Sequence, residues 1–202
     1  MFIIGLTGGI GTGKSIVSNY MQTLQIPVID ADKITRELQE QDRSLLCQLS
    51  QIFGKCILNE KGILNRAILS EIVFSDENKL AQLNRVMHPA IWRQIEKLLK
   101  KYMEQEVPLV VLDIPLLIEV GWHHYVDSVW VVSIPLQLQI ARVVERDRID
   151  KEQALLRIKQ QMSTREKQLY ADVVIDNSQT MEKTQQQVDE ELEKIPGFTW
   201  GK

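Results

Sequence analysis

Apolar residues follow two alternating patterns along this chain. Unbroken apolar runs occur at Phe2, Ile3, Ile4 and Leu6 and at Leu109, Val110, Val111 and Leu112, and further strands are expected at Pro27, Val28 and Ile29, across 126–133, and at Val173, Val174 and Ile175. A run without apolar and polar alternation marks a strand covered on both faces, as in a parallel sheet. Between the runs, apolar residues recur at helical spacing. Ile16, Val17, Tyr20, Met21 and Leu24 form one such stripe, Ile91, Ile95, Leu98, Leu99 and Tyr102 another, and a polar helix over 181–194 closes the pattern. Strands separated by helices imply an α/β fold: a five-stranded parallel sheet flanked by helices. Residues 35–105 read as helical and mixed, with breaks expected near Gly54, Gly62 and Pro89. A stretch of about seventy residues is too long for a plain crossover between parallel strands, and it reads as a helical insertion that holds a substrate.

The first run leads directly into Gly8, Gly9, Ile10, Gly11, Thr12, Gly13, Lys14 and Ser15, which satisfy G-x-x-x-x-G-K-[ST]. Absent side chains let successive backbone N–H groups close around phosphate oxygens, while Lys14 reaches the β/γ-phosphates and Ser15 ligates Mg²⁺. The helix that follows points its positive dipole end at the same phosphates. A dinucleotide fingerprint fails on spacing, because Lys14 stands three positions after Gly11 and Ile16 three after Gly13.

Two strand ends carry acids. At most one of Asp30 and Asp32 is expected to face the phosphate site, and Asp32 is the better general base, with an N-cap for a helix starting near Lys33 as the alternative. Asp113 ends an apolar strand, where a carboxylate commonly orients Mg²⁺ or its water; a solvated strand end is the plainer reading. Gln139, Arg142 and Arg146 share a helical face opposite Leu136, Ile140, Val143 and Val144, which suits either closure over a phosphate or a salt-bridged surface helix beside Glu145 and Asp147. His88 suits capping, packing or a ligand contact, and His123 and His124 lack a third partner at zinc spacing.

Composition narrows the picture. The 202 residues are enough for one α/β domain with insertions, and 24 basic against 27 acidic residues, net charge −3, give no general attraction for nucleic acid. Cys47 and Cys56 lack metal-ligand spacing and read as reduced thiols, with Cys47 expected in the core. No apolar stretch approaches the roughly 20 residues that span a bilayer, and no secretory signal is legible. The expectation is a cytoplasmic chain with no membrane and no obligate protein partner.

Taken in order, these residues resemble the dephospho-coenzyme A kinase family over essentially the whole chain. The resemblance rests on GLTGGIGTGKS at 5–15, DAD at 30–32, His88-Pro89, DIPLLIE at 113–119, and Gln139, Arg142 and Arg146 in Q-x-x-R-x-x-x-R. Gln161, Lys167, Ala171, Asp172, Val174, Ile175 and Asn177 complete it. It implies a nucleoside-monophosphate-kinase-like core at 1–34, 106–138 and 166–202, a substrate-binding insertion at 35–105 and a helical lid at 139–165. It also implies transfer of phosphate from ATP, with Mg²⁺, to the ribose 3′-hydroxyl of dephospho-coenzyme A, with small molecules as the only partners. The residues so implied are Asp32, Lys14 and Arg142 for catalysis, and Gly9, Gly11, Thr12, Gly13, Lys14, Ser15, Ile16, Arg146 and Asn177 for the nucleotide. Asp32, Arg66, His88 and Leu116 are implied for the acceptor, and Ser15 and Asp113 for the metal. Three positions depart from the family pattern: Ile16 replaces a small hydroxyl residue, Asn65 an aspartate before Arg66, and Gln179 a glycine.

Two other readings compete. A GTPase switch is disfavoured because Asn78-Lys79 is followed by Leu80 and Ala81 instead of completing N-K-x-D, and no D-x-x-G occurs. A nucleoside or nucleotide kinase shares the core and differs only in its acceptor pocket.

Overall fold

The computed structural model describes residues 1–198, so the final four positions of the expected core segment 166–202 lie outside the described residues. The chain forms two compact units, Met1–Ile29 with Tyr102–Lys202, and Asp30–Lys101.

The first unit is built on a five-stranded sheet. Its strands are β1 (Phe2–Gly8), β2 (Val28–Asp30, whose last residue opens the second unit), β3 (Leu109–Asp113), β4 (Ser128–Ser133) and β5 (Val173–Asp176), in the order β2-β3-β1-β4-β5. β1 pairs in parallel with β3 and β4, and β4 with β5, as the unbroken apolar runs require. β1 is central, and the chain moves to one side of it for β2 and β3 and to the other for β4 and β5. The carboxyl end of β1 is therefore a switch point, where a crevice opens outside the strand ends.

Helices α1 (Lys14–Thr23) and α9 (Met181–Leu192) cover one face. Their Val17, Met21, Val188 and Leu192 pack with alternate strand residues Ile4, Leu6, Leu109, Val111, Trp130, Val132 and Ile175. The period of two along each strand puts these side chains on one side of the sheet. The segment after β4 supplies α6 (Leu136–Asp147), α7 (Lys151–Lys159) and α8 (Thr164–Gln168), where Val143, Ala154 and Ile158 form a small core of their own.

The second unit is helical: α2 (Ala31–Gln41), α3 (Arg43–Phe53), α4 (Arg66–Phe74) and α5 (Glu77–Glu104), whose last turn belongs to the first unit. Three helices start at side-chain caps: Lys33 N–H donates to Asp30 Oδ1 (3.0 Å), Leu45 N–H to Asp42 Oδ1 (2.9 Å) and Ile68 N–H to Asn65 Oδ1 (3.3 Å). Asn65 thus does what an aspartate does at that place, because either oxygen caps a helix.

Three expectations are corrected here. α2 begins at Ala31 with Asp30 as its cap, so Asp32 is a first-turn residue and not the cap. α5 runs unbroken through Pro89. An interior proline costs about 3 kcal/mol, and the buried stripe of Met87, Ala90, Ile91 and Ile95 on both sides of it outweighs that cost. Cys47 is exposed, because α3 turns Leu45, Leu46, Leu49 and Phe53 inward and two residues of helix rotate Cys47 about 200° from Leu45. The breaks at Gly54 and Gly62 fall where expected, both at positive φ.

Candidate active site

The loop between β1 and α1 is shaped by its backbone. Thr12 N–H and Oγ1 both donate to Gly9 O, at 3.1 and 2.8 Å, closing the turn. Gly13 caps α1 in the left-handed region (φ 83°), and a Cβ there would fall on the amide of Asn177, so neither conformation nor space admits a side chain. Ile16 N–H turns back to Gly13 O (2.9 Å), and the amides ahead of it lie before the i−4 ladder begins, which makes this helix start a cradle for an anion.

Side chains from distant parts of the first unit grip the loop. Asn177 Nδ2 donates to Thr12 O (2.8 Å) and Asn177 Oδ1 accepts from Thr184 Oγ1 (3.0 Å), so the amide cannot rotate away. Arg142 donates from Nη2 to Asn177 O (3.0 Å) and from Nη1 to Thr12 O (3.5 Å). Ile10 is held at both ends of its backbone: its N–H donates to Gln161 Oε1 (2.9 Å) and its carbonyl accepts from Gln139 Nε2 (2.8 Å).

The expected division of α6 into polar and apolar faces is corrected by these contacts. Gln139, only 3% exposed, and Val143 form one buried face against the loop, while Leu136 is exposed. A Cβ at Gly11 would come within 2.7 Å of Val143 Cγ2, so the helix lies directly on the glycines. The amide is buried because it satisfies a backbone group that would otherwise be unpaired.

The charged groups form two pairs. Lys14 Nζ bonds Asp113 Oδ1, and Asp113 is 6% exposed at the end of β3. Lys167, fully buried, pairs with Glu119 Oε2 (2.8 Å) and donates to Pro115 O (2.9 Å) and towards Thr7 Oγ1 (3.5 Å). Burial pulls its ammonium below the ordinary lysine range, and Glu119 pushes it back up. Glu119 Oε1 also accepts from Met162 N–H (3.2 Å), tying the segment before α8 to the loop after β3.

The structure thus brings Gly9, Gly11, Thr12, Gly13, Lys14, Asp113, Arg142 and Asn177 together. Ser15, exposed, and Ile16 stand in the first turn of α1, and Leu116, 39% exposed, follows β3. Arg146 is turned to Asp147, with Nε 2.7 Å from Oδ1; that contact raises the guanidinium and lowers the carboxyl. Asp32, Arg66 and His88 belong to the helical unit. There Arg66 donates to Gln39 Oε1 (3.1 Å), Arg36 O (3.3 Å) and Glu40 Oε1 (2.9 Å), and partial burial lowers the His88 imidazole.

Sequence reasoning assigned no role to Gln161, Lys167 or Glu119. Lys167 sits in a polar segment that looks like surface, and its fixed place in the family pattern is the only signal that points to it. Among the described residues, no helix is long and apolar enough to cross a membrane.

Comparison with known proteins follows the same geometry. The family model described as dephospho-CoA kinase matches residues 2–183. A dephospho-CoA kinase of Carboxydothermus hydrogenoformans is 42% identical over 200 residues, 99% of this chain and 97% of that one. Among solved structures, TT1252 from Thermus thermophilus superposes with a TM-score of 0.83 at 33% identity, covering 97% of this chain and 98% of that one. A dephospho-CoA kinase from Campylobacter jejuni gives a TM-score of 0.72 at 26% identity, covering 95% and 96%.

Proposed function

The chain belongs to the dephospho-CoA kinase family, and we propose that it transfers the γ-phosphoryl group of ATP to the ribose 3′-hydroxyl of dephospho-coenzyme A. The products are coenzyme A and ADP, and the reaction is the last step of coenzyme A biosynthesis. The observation that carries the reading is the phosphate loop itself, with Gly13 in the left-handed region, Asn177 on Thr12 O and Lys14 beside Asp113. The reading is of a cytoplasmic enzyme acting on two small molecules.

In this reading the loop amides and Lys14 hold the β- and γ-phosphates of ATP, and Asn177 lies on the nucleotide side. Arg142 and Arg146 belong to a lid spanning 139–165, and residues 35–105, with Arg66 and His88, hold the acceptor together with Leu116. Asp32 accepts the 3′-hydroxyl proton as that oxygen bonds to the γ-phosphorus and the bond from phosphorus to the β–γ bridging oxygen breaks, leaving ADP.

Ser15 and Asp113 suit Mg²⁺. Both offer hard oxygen donors, and magnesium takes only one or two protein ligands, leaving its other positions to water and phosphate. Among the described residues no cluster of three His, Cys, Asp or Glu offers a competing site. When bound, the ion neutralises charge on the phosphate oxygens.

The deciding assay supplies purified protein and Mg-ATP with dephospho-coenzyme A, adenosine, AMP or pantothenate. ADP is expected with dephospho-coenzyme A alone, and ADP with another acceptor only would assign the chain to a different kinase reaction. For the lid, Arg142→Ala is expected to lower kcat by about tenfold or more while changing the Kd for ATP by only about threefold, because a lid arginine acts mainly on the transferring group. Equal losses in rate and affinity, read by single-turnover kinetics and calorimetry, would show uniform binding.

A further inference from the structure

Ile10 stands between Gly9 and Gly11 at the tip of the phosphate loop, where the backbone has the least intrinsic restraint. Both of its peptide groups are nevertheless fixed by side chains from one remote segment. Gln139, in the first turn of α6, donates to its carbonyl (2.8 Å), and Gln161, beyond α7, accepts from its N–H (2.9 Å). Its side chain packs into the small core of Val143, Ala154 and Ile158, which lies between the two glutamines in sequence. A Cβ added at Gly9 would come within 2.8 Å of Gln139 Nε2. The loop tip is therefore built into the helical segment 139–161 at three points.

We infer that Gln139 and Gln161 are positioning residues for phosphoryl transfer: they set the Ile10 peptide, and through it the phosphate-binding amides, according to the arrangement of α6 and α7. The inference rests on the kinase reading and adds to it a defined route by which the lid segment acts on the loop. The chemistry of the two contacts is opposite. A peptide N–H needs an acceptor and a carbonyl needs a donor, so Gln161 must present its oxygen and Gln139 its NH₂. Loss of either contact leaves a loop peptide to be ordered at each binding event, which weakens nucleotide binding by about tenfold.

The opposite polarity gives a signature that a merely structural role lacks. Gln161→Leu and Gln139→Leu are each expected to raise the Kd for ATP about tenfold and to lower kcat/KM for ATP at least as much, with KM for dephospho-coenzyme A unchanged within about twofold. Tm is expected to move by no more than roughly 4 °C. Gln161→Glu keeps an acceptor against the Ile10 N–H and is expected to stay within about threefold of the parent. Gln139→Glu sets a carboxylate against the Ile10 carbonyl and is expected to be at least as impaired as Gln139→Leu.

Leucine variants that bind ATP like the parent would overturn the inference, as would two glutamate variants that behave alike. Should a leucine variant fail to fold, the contrast between the glutamate variants decides by itself. Calorimetric titration with ATP reads the clamp separately from the reaction. A parent that binds ATP but leaves dephospho-coenzyme A unphosphorylated would overturn the kinase reading, while the binding series would still judge the clamp.

Discussion

Lys14→Ala is expected to lower kcat by roughly 10³-fold while the protein remains folded. Phosphoryl transfer spreads negative charge over the equatorial oxygens, and a cation fixed beside them stabilises the transition state more than the ground state. The structure holds that cation against Asp113 at the end of β3, beside the loop that cradles the phosphates in the kinase reading. Alanine removes that charge and takes the ammonium away from the nearly buried Asp113 carboxylate. The loop does not need the lysine for its shape. That is set by the positive φ of Gly11 and Gly13 and by the contacts of Gln139, Gln161 and Asn177. Single-turnover kinetics beside a thermal melt check this result, and near-parent turnover would sink the phosphate-loop reading.

Asp32→Asn is expected to reduce transfer by about a hundredfold or more while both substrates still bind. Asparagine keeps the size and hydrogen bonding of the side chain but cannot take a proton as a carboxylate does. The structure removes the principal structural objection to the test, since Asp30 and not Asp32 caps α2. The first turn of the helix loses one negative charge, which by itself contributes about 0.3–1 kcal/mol. Because the transition state is loose, positioning by the amide retains part of the rate, and the loss is large without being complete. Calorimetry with each ligand beside single-turnover kinetics decides the matter. Turnover within about threefold of the parent would send the search for the base elsewhere.

What the chain made legible unaided is what is written in neighbouring residues. The unbroken runs at Ile3 and Ile4 or Val110 and Val111 specify buried strands, the glycines and Lys14 specify a phosphate loop, and helical stripes fill the intervals. Asp113 was readable as an acid at a strand end for the same reason, Arg142 as part of a helical face, and the family pattern added Asn177. Local patterns were weaker at boundaries. Asp32 was open to a cap reading for a helix starting near Lys33, and only the turn of the backbone at Ala31 gave that place to Asp30. Pro89 reads as a break because the pattern does not contain the packing that holds α5 together across it.

The tertiary structure alone decided which face of α6 is buried and which remote side chains shape the loop. A helical stripe shows that Gln139 and Arg142 are neighbours, but not that the Gln139 side turns inward to meet Ile10. Lys167 reaches Thr7, Gln161 reaches Ile10 and Asn177 reaches Thr12 across separations of 160, 151 and 165 residues. Those meetings follow from the strand order, which sets β1 between β3 and β4 and β5 beyond β4. Backbone propensity and side-chain period act over a few residues, whereas a polar side chain is drawn into the interior only where a distant partner offsets its desolvation. The partner's position is a property of the folded sheet and is absent from any local stretch of the sequence.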